Sequence, residues 1–409
     1  MSKAPVVAVE IGTTKNVALV GEKQEGGVAV IGMGEHPSAG VRKGEIVDIE
    51  NAVVCVRSAL AAAEKSANVA IRQVHLAVTG GHIHSDTNRG SVPVSDRERG
   101  VSPAEIAGVE GVARSIHLPP DREILHSFVQ YYCLDDQERV QRPLGMGGAV
   151  LSVDMLMLHG VRARINNGVR VIENLLLDVE DAVFSGVCSA KAVVTAEQRK
   201  AGVIVIDIGG GMTEYAVYVG DVLMALGGIA VGGDHVTNDL ALGLSIPPAR
   251  AEGLKREFGG ALPRPELSGR RIAVPAEVGF AGRDVTLRTV DTIVNSRVDE
   301  ILRIVRRRLE GAVSLHQIGA GVVLTGGGAR LQRIAEAAES VFGLPAALGR
   351  PINVTGPAAV TEGGEYATTA GLVLYAVQPS ETVEAKAPSR GRPLDSLLDR
   401  LFDRHAGRG

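Results

Sequence analysis

The sequence predicts an α/β protein built from a duplicated unit, with a smaller subdomain inserted into its first half. Three observations carry this. Apolar runs alternate with helical patterns along most of the 409 residues, which is the alternation of helix-covered sheets rather than of a sandwich or a bundle. One phrase occurs twice: VVAVEIGTTKNVALV over residues 6–20 and VIVIDIGGGMTEYAVYV over residues 203–219. Each copy is an apolar strand, an acid, Ile-Gly, a small-residue turn and a second apolar strand. The rhythm then breaks from about residue 83 to residue 160, a stretch too long for an ordered loop and read here as an inserted subdomain.

In chain order, residues 6–9 and 17–20 read as paired strands, with a third at 28–32. Residues 50–65 (ENAVVCVRSALAAAEK) form a predicted helix with its acid first and its Lys last, as the helix dipole favours. Residues 74–80 are the next buried strand, and the inserted stretch ends in the amphipathic strand AVLSVDMLMLHG. Residues 165–183 read as helical, 203–208 as a strand, 288–313 as a long helix and 322–325 as a strand. Residues 247–283, rich in Pro and Gly with one short strand (RIAVPAE), are a second candidate insertion.

Composition narrows the function. A chain of this length implies two or more domains. A formal net charge of −4 gives no global field for nucleic acid, and 3% aromatic residues with no Trp give no base-stacking surface. Cys55, Cys133 and Cys188 are widely spaced and odd in number, neither a metal pair nor a disulfide framework, so a reducing cytosol is expected. The opening MSKAPVVAVEIG lacks the apolar core of a signal peptide, and no stretch approaches the ~20 apolar residues of a spanning helix, so the protein is expected to stay inside the cell.

The duplicated phrase carries chemistry. At the end of a buried strand, an acid followed by Gly and small hydroxyl residues makes a tight hairpin. Its backbone N–H groups can face a phosphate, and its acid can reach a metal ion or the waters around one. Either hairpin alone is equally an ordinary one that needs Gly at its turn. A third glycine turn follows in VVLTGGGARLQRI (322–334), read as strand, Gly326-Gly327-Gly328, then helix. Such a turn lets a nucleoside lie against bare backbone. The series points to a nucleotide held between two halves.

This order of turns resembles the actin-like ATPase superfamily, with its ribonuclease-H-like duplicated fold, and within it the FtsA family of bacterial cell-division proteins. AVTGGHIHSDTNRGSV and LDDQERVQRPLGMGG are similar to the small inserted subdomain of that family. GMGEHPSAGVRKGEIVDIE follows the first hairpin as it does there. FSGVCSAKAVVTAEQRKAG resembles its connecting helix, GGDHVTNDLALGLSIPPARAEGLK the entry to its upper subdomain, and EYATTAGLVLYA its closing helix. The resemblance divides the chain into 1–82 with 161–198, the inserted 83–160, 199–246 with 318–378, the upper subdomain 247–317, a linker 379–393 and an amphipathic helix 394–404. It implies ATP with Mg²⁺ in the cleft. Gly12, Thr13, Thr14 and Lys15 fall on the first phosphate hairpin; Asp207, Gly209, Gly210, Gly211 and Thr213 fall on the second; Gly326, Gly327 and Gly328 fall on the adenosine turn. Glu252 and Lys255 sit where relatives contact ribose and base, or else form a solvated i,i+3 ion pair.

Relatives usually carry Asp where this chain has Glu10 and again where it has Glu214. Asp207 is therefore the expected metal-side acid and Glu10 a looser partner, both meeting Mg²⁺ through water. No catalytic residue stands out. Of the polar side chains in SGVCSAKAV, Ser185, Ser189 and Lys191, none is a good water-orienting base, and Ser189 is only a weak candidate. Slow ATP turnover at most is expected.

The end of the chain changes character. ETVEAKAPSRGR (381–392) has no periodicity and reads as a flexible linker. In PLDSLLDRLFDRHAGRG, Leu394, Leu397, Leu398, Leu401 and Phe402 follow the i, i+3, i+4, i+7, i+8 rule. A helix of ~16 Å is too short to span a bilayer but long enough to lie in its surface. Docking on the protein's own body or on a partner is the plain alternative. Six basic residues against three acids from Lys386 onward favour an anionic membrane, and the resemblance implies the same targeting helix. It further implies filaments at the cytoplasmic face of the cell membrane, at the division site. There the protein would tether the tubulin-like protein FtsZ through its C-terminal peptide on residues 247–317 and recruit later division proteins. Arg303, Arg306, Arg307 and Arg308 could receive an acidic peptide, but a solvated helix face reads better. A pilus-assembly adaptor and an ATPase or phosphotransferase of the same fold are the alternative readings. His82, His84 and His235 lack a third metal ligand nearby and read as surface histidines.

Overall fold

Val6–Ile11 lies antiparallel to Lys15–Gln24, which pairs in turn with Gly27–Pro37. The parallel strands Gln73–Val78 and Asp178–Phe184 extend the sheet on the other side of Val6–Ile11. The second half repeats the plan. Val203–Ile208, Thr213–Val219 and Val222–Ile229 make the antiparallel meander, and Val322–Thr325 and Ala346–Leu348 the parallel pair. Both sheets thus run third, second, first, fourth, fifth strand, with Val354–Thr355 added beside Gly27–Pro37. The duplication read from two phrases extends to whole sheets. This is a computed structural model, and it describes residues 4–135, 139–267, 269–276 and 279–378. The linker 379–393, the helix 394–404 and its apolar residues Leu394, Leu397, Leu398, Leu401 and Phe402 lie outside them.

The strands form where β-branched residues run unbroken. Every residue of Val203–Ile208 is buried, as expected for a sheet covered on both faces. Helix Ile49–Ala67 covers the first sheet. Its N-cap Asp48 accepts from the Asn51 N–H at 3.1 Å, and Asn68 ends it in the left-handed conformation. Two helices, Ser185–Val193 and Ala367–Val377, cross between the halves. Gly371 makes the crossing possible: a Cβ there would lie 1.8 Å from the Cys188 carbonyl oxygen.

The inserted subdomain is a three-stranded sheet, His84–Pro93, Val150–Val161 and Arg122–Leu134, with the long Val150–Val161 strand in the middle. Helix Pro103–Arg114 covers it, opened by a capping box of Ser102 and Glu105. This subdomain also touches the second half. Gln130 Nε2 donates to the Leu223 and Met224 carbonyls at 3.2 Å, and the Ser85 hydroxyl donates to the Leu226 carbonyl at 2.5 Å. Above the second sheet stand helices Pro248–Phe258 and Leu287–Leu309 and a hairpin of Arg271–Val274 with Arg283–Thr286.

Four readings of the sequence need correction. Residues 165–183 are not one helix: helix Arg162–Glu173 ends near Leu176, whose φ is +60°, and Asp178–Phe184 is a parallel strand. The long helix stops at Leu309, four residues early, at a turn before Gly311 with φ +86°. The region 247–283 holds a full helix besides its strands. His82 is not a surface residue. It is buried before the strand that starts at His84, and its Nδ1 accepts from the Val161 N–H at 3.2 Å. Burial, reinforced by Arg164 and Arg122, pushes its pKa down to about 4. His84 is exposed and His235 half-buried. Among the described residues, no helix is long and apolar enough to cross a membrane, and the three cysteines are free.

Candidate functional site

The two duplicated turns close in the same way. Gly12 N–H donates to the Lys15 carbonyl at 3.1 Å, and Gly209 N–H donates to the Met212 carbonyl at 2.9 Å. In each, the acid stands at the end of the strand that enters the turn: Glu10 in the first, Asp207 in the second. The third turn, Gly326–Gly328, lies beside them. Gly326 has φ +83°, and a Cβ there would sit 2.2 Å from Asp207 Oδ1, so only glycine lets the third turn rest on the second. The helix expected directly after these glycines begins later. Gly327–Arg330 is a 3₁₀ turn, and helix Ile334–Phe342 follows it.

The three turns surround one cleft of about 640 Å³, within the range of small-molecule sites. Gly12, Thr13, Thr14, Lys15, Asp207, Gly209, Gly210, Gly211, Gly326, Gly327 and Gly328 all line it, as do Glu10, Glu252 and Lys255. Thr213 does not: it is fully buried, its hydroxyl donating to the Val231 carbonyl at 2.8 Å. Ser189 is buried outside the lining, its hydroxyl hydrogen-bonded to Asp207 and, at 3.4 Å, to the Gly186 carbonyl. Lys191 donates to the Gln378 carbonyl at 2.9 Å. Glu252 and Lys255 do form an ion pair, at 2.6 Å, but on the cleft wall rather than in free solvent. Lys255 also donates to the Thr237 hydroxyl at 2.8 Å and to the Gly233 carbonyl at 3.0 Å.

Three carboxyls make the floor. Burial and the nearby Asp207 push the Glu10 pKa up to about 7, against Lys15 and a hydrogen bond from Thr369. Burial lifts Asp207 to about 6, against the hydroxyls of Thr368 and Ser189. Glu214, cross-strand partner of Asp207, is raised to about 8 by burial and by Asp207. Its Oε1 accepts from the hydroxyls of Thr79 at 2.5 Å and Ser185 at 2.6 Å. Seven carboxyl side chains line the cleft against four cationic ones. Such a donor set lacks positive charge, and a hard divalent cation supplies it. Among the described residues, no group of three or more His, Cys, Asp or Glu is placed to hold a metal ion alone. A cation would therefore meet Asp207 and Glu10 through water and through a ligand's own oxygens, which fits Mg²⁺.

Reading the sequence missed Thr79, Thr368, Glu35 and Tyr366, which line the cleft, and the buried Thr369, which donates to Glu10. The paired threonines in the otherwise apolar helix Ala367–Val377 were the available signal.

Comparison with known proteins identifies the family and the fold. Residues 204–371 match the family described as cell division protein FtsA, and residues 80–159 match the SHS2 domain inserted in FtsA. The chain is 34% identical to the cell division protein FtsA of Pseudomonas aeruginosa, over 97% of this chain and 96% of that one. It is 34% identical to FtsA of Escherichia coli K12, over 94% of this chain and 93% of that one. Among solved structures, a chain of the PilM-PilN type IV pilus biogenesis complex aligns at TM-score 0.65 and 16% identity, covering 91% of this chain and 99% of that one. MreB5 of Spiroplasma citri bound to AMPPNP aligns at TM-score 0.52 and 15% identity, covering 99% of this chain and 100% of that one. At those identities the two structures establish the actin-like fold alone. Duplicated sheets, the inserted domain and near full-length identity converge: the chain belongs to the FtsA family of cell-division proteins.

Proposed function

We propose that this division protein binds ATP with Mg²⁺ in the cleft, assembles into filaments on the cytoplasmic face of the cell membrane, and tethers the FtsZ ring there while recruiting later division proteins. The observation that carries the nucleotide reading is the convergence on one cleft of three glycine turns and three acids, Glu10, Asp207 and Glu214, the last two of them buried. Gly12 to Lys15 and Gly209 to Gly211 would hold phosphates, Gly326 to Gly328 the adenosine, and Glu252 and Lys255 the ribose and base. Mg²⁺ would neutralise phosphate charge, with Asp207 and Glu10 fixing its waters.

Slow hydrolysis fits the same residues. The cleft-facing polar group of helix Ser185–Val193 is Ser185, and its hydroxyl donates to Glu214. Glu214, raised to about 8, is protonated at neutral pH and makes a poor base. The nucleotide then acts as a structural switch, and phosphate release at many per second would contradict this.

For the membrane, the apolar arc Leu394, Leu397, Leu398, Leu401 and Phe402 and the basic residues from Lys386 onward support surface binding. One short helix binds weakly, so several copies on a filament would act by avidity. The FtsZ peptide is assigned to residues 247–317. The test is flotation with anionic liposomes and ATP–Mg²⁺, full length beside a chain stopped after Gln378. Flotation of the full chain alone is expected; equal flotation of both would move the membrane contact elsewhere.

A further inference from the structure

Lys15 closes the first glycine turn, yet its ammonium is already engaged. Glu35 Oε2 accepts from Lys15 Nζ at 2.9 Å, and the same oxygen accepts from the Tyr366 hydroxyl at 2.6 Å. Lys15 Nζ also stands 3.5 Å from the centre of the Tyr366 ring. Glu35 comes from strand Gly27–Pro37 and Tyr366 caps the closing helix, and all three side chains line the cleft. One carboxylate oxygen therefore takes the place at Lys15 that a phosphate oxygen would take, with an ammonium and a hydroxyl as its donors. Partial burial pushes the Glu35 carboxyl up, but Tyr366 and Lys15 outweigh it and hold it below its ordinary range, so it is charged at neutral pH. The Glu35 side chain is 41% exposed, so it can swing into solvent without stranding a buried charge. A second cation of the cleft lining, Arg330, is held in the same fashion by Glu365 at 2.8 Å.

We infer that Glu35 is a built-in competitor for Lys15, displaced when a nucleoside polyphosphate enters, and that it sets both the affinity of the cleft and its selection by phosphate number. The inference rests on the reading of the cleft as a nucleotide site. If the third turn holds the nucleoside, a monophosphate brings only the phosphate next to it and should leave Glu35 on Lys15. A longer phosphate chain reaches the first turn and exchanges one charge-assisted partner of Lys15 for another.

The experiment uses the full chain with Mg²⁺ and measures ATP and AMP affinity by calorimetry for wild type, Glu35→Gln, Lys15→Met and the double variant. Glu35→Gln keeps an acceptor for Tyr366 and removes the charge from Lys15. ATP should bind about tenfold tighter to it, with AMP changed by less than about twofold. Lys15→Met should weaken ATP binding, and in the double variant the gain should vanish. Wild type that binds ATP together with an unchanged ATP-to-AMP ratio in Glu35→Gln overturns the inference alone. Wild type that binds no nucleotide overturns the cleft reading and the inference with it. Matching thermal melts show that the variants fold.

Discussion

Glu214 faces Asp207 across the second hairpin, and both are buried, at 5% and 8% exposure. Two carboxyls so placed cannot both ionise cheaply, which is why burial and Asp207 lift Glu214 to about 8. An acid whose pKa is raised on folding binds more protons folded than unfolded. The stability it confers is therefore present below its ordinary value of 4.5 and is lost as pH climbs to about 8. Glu214→Gln keeps an acceptor for Thr79 and Ser185 while removing the titration. In divalent-free buffer it should match wild type at about pH 5 and exceed it by on the order of a few kcal/mol at about pH 8.5. Denaturant melts at both values check this, and a parallel decline of the variant with pH would count against it. The acids themselves were legible, since Glu10 and Asp207 stand at strand ends before glycine turns. Their hydroxyl partners were not, because Thr369 lies 359 residues from Glu10 and Thr368 lies 161 from Asp207. Only folding brings these groups together.

Helices Ser185–Val193 and Ala367–Val377 pack with almost no space between their backbones, and Gly371 is the point of contact. Gly371→Ala forces the helices apart and should cost about 2–3 kcal/mol through overpacking. Gly108 is also helical, in Pro103–Arg114, but a Cβ there meets nothing within 4 Å. Gly108→Ala should stabilise by about 0.5–1 kcal/mol, since helix propensity is then the whole effect. Urea denaturation of the pair separates the two, and similar shifts in one direction would contradict the packing account. Element legibility followed the same physics. The strands of 203–208 and 322–325 were plain because continuous β-branched runs leave no alternative. Residues 165–183 misled because NLLLDVEDAVF keeps a helix-like spacing while a left-handed Leu176 ends the helix. That break falls at a Leu that is 94% exposed, not at a Gly or Pro that would mark it in the sequence.

Across the molecule, two sheets of one topology meet through two crossing helices, and their three glycine turns open on a single cleft. The duplication was readable in two short phrases because both hairpins close through the same glycine N–H to carbonyl hydrogen bond after an acid-ended strand, which demands the same residue types. The contact of the inserted subdomain with strand Val222–Ile229, through Gln130 and Ser85, had no such signature. The charge of the cleft follows from the assembled whole: carboxyl side chains outnumber cationic ones on its lining, even with Glu214 protonated, so the proposed polyphosphate should enter with a divalent cation. The most direct measurement is a calorimetric titration of the full chain with ATP, with Mg²⁺ and then with a chelator. One site per chain is expected, weakened at least about tenfold without Mg²⁺. Equal affinity in both buffers, or no binding in either, would contradict this.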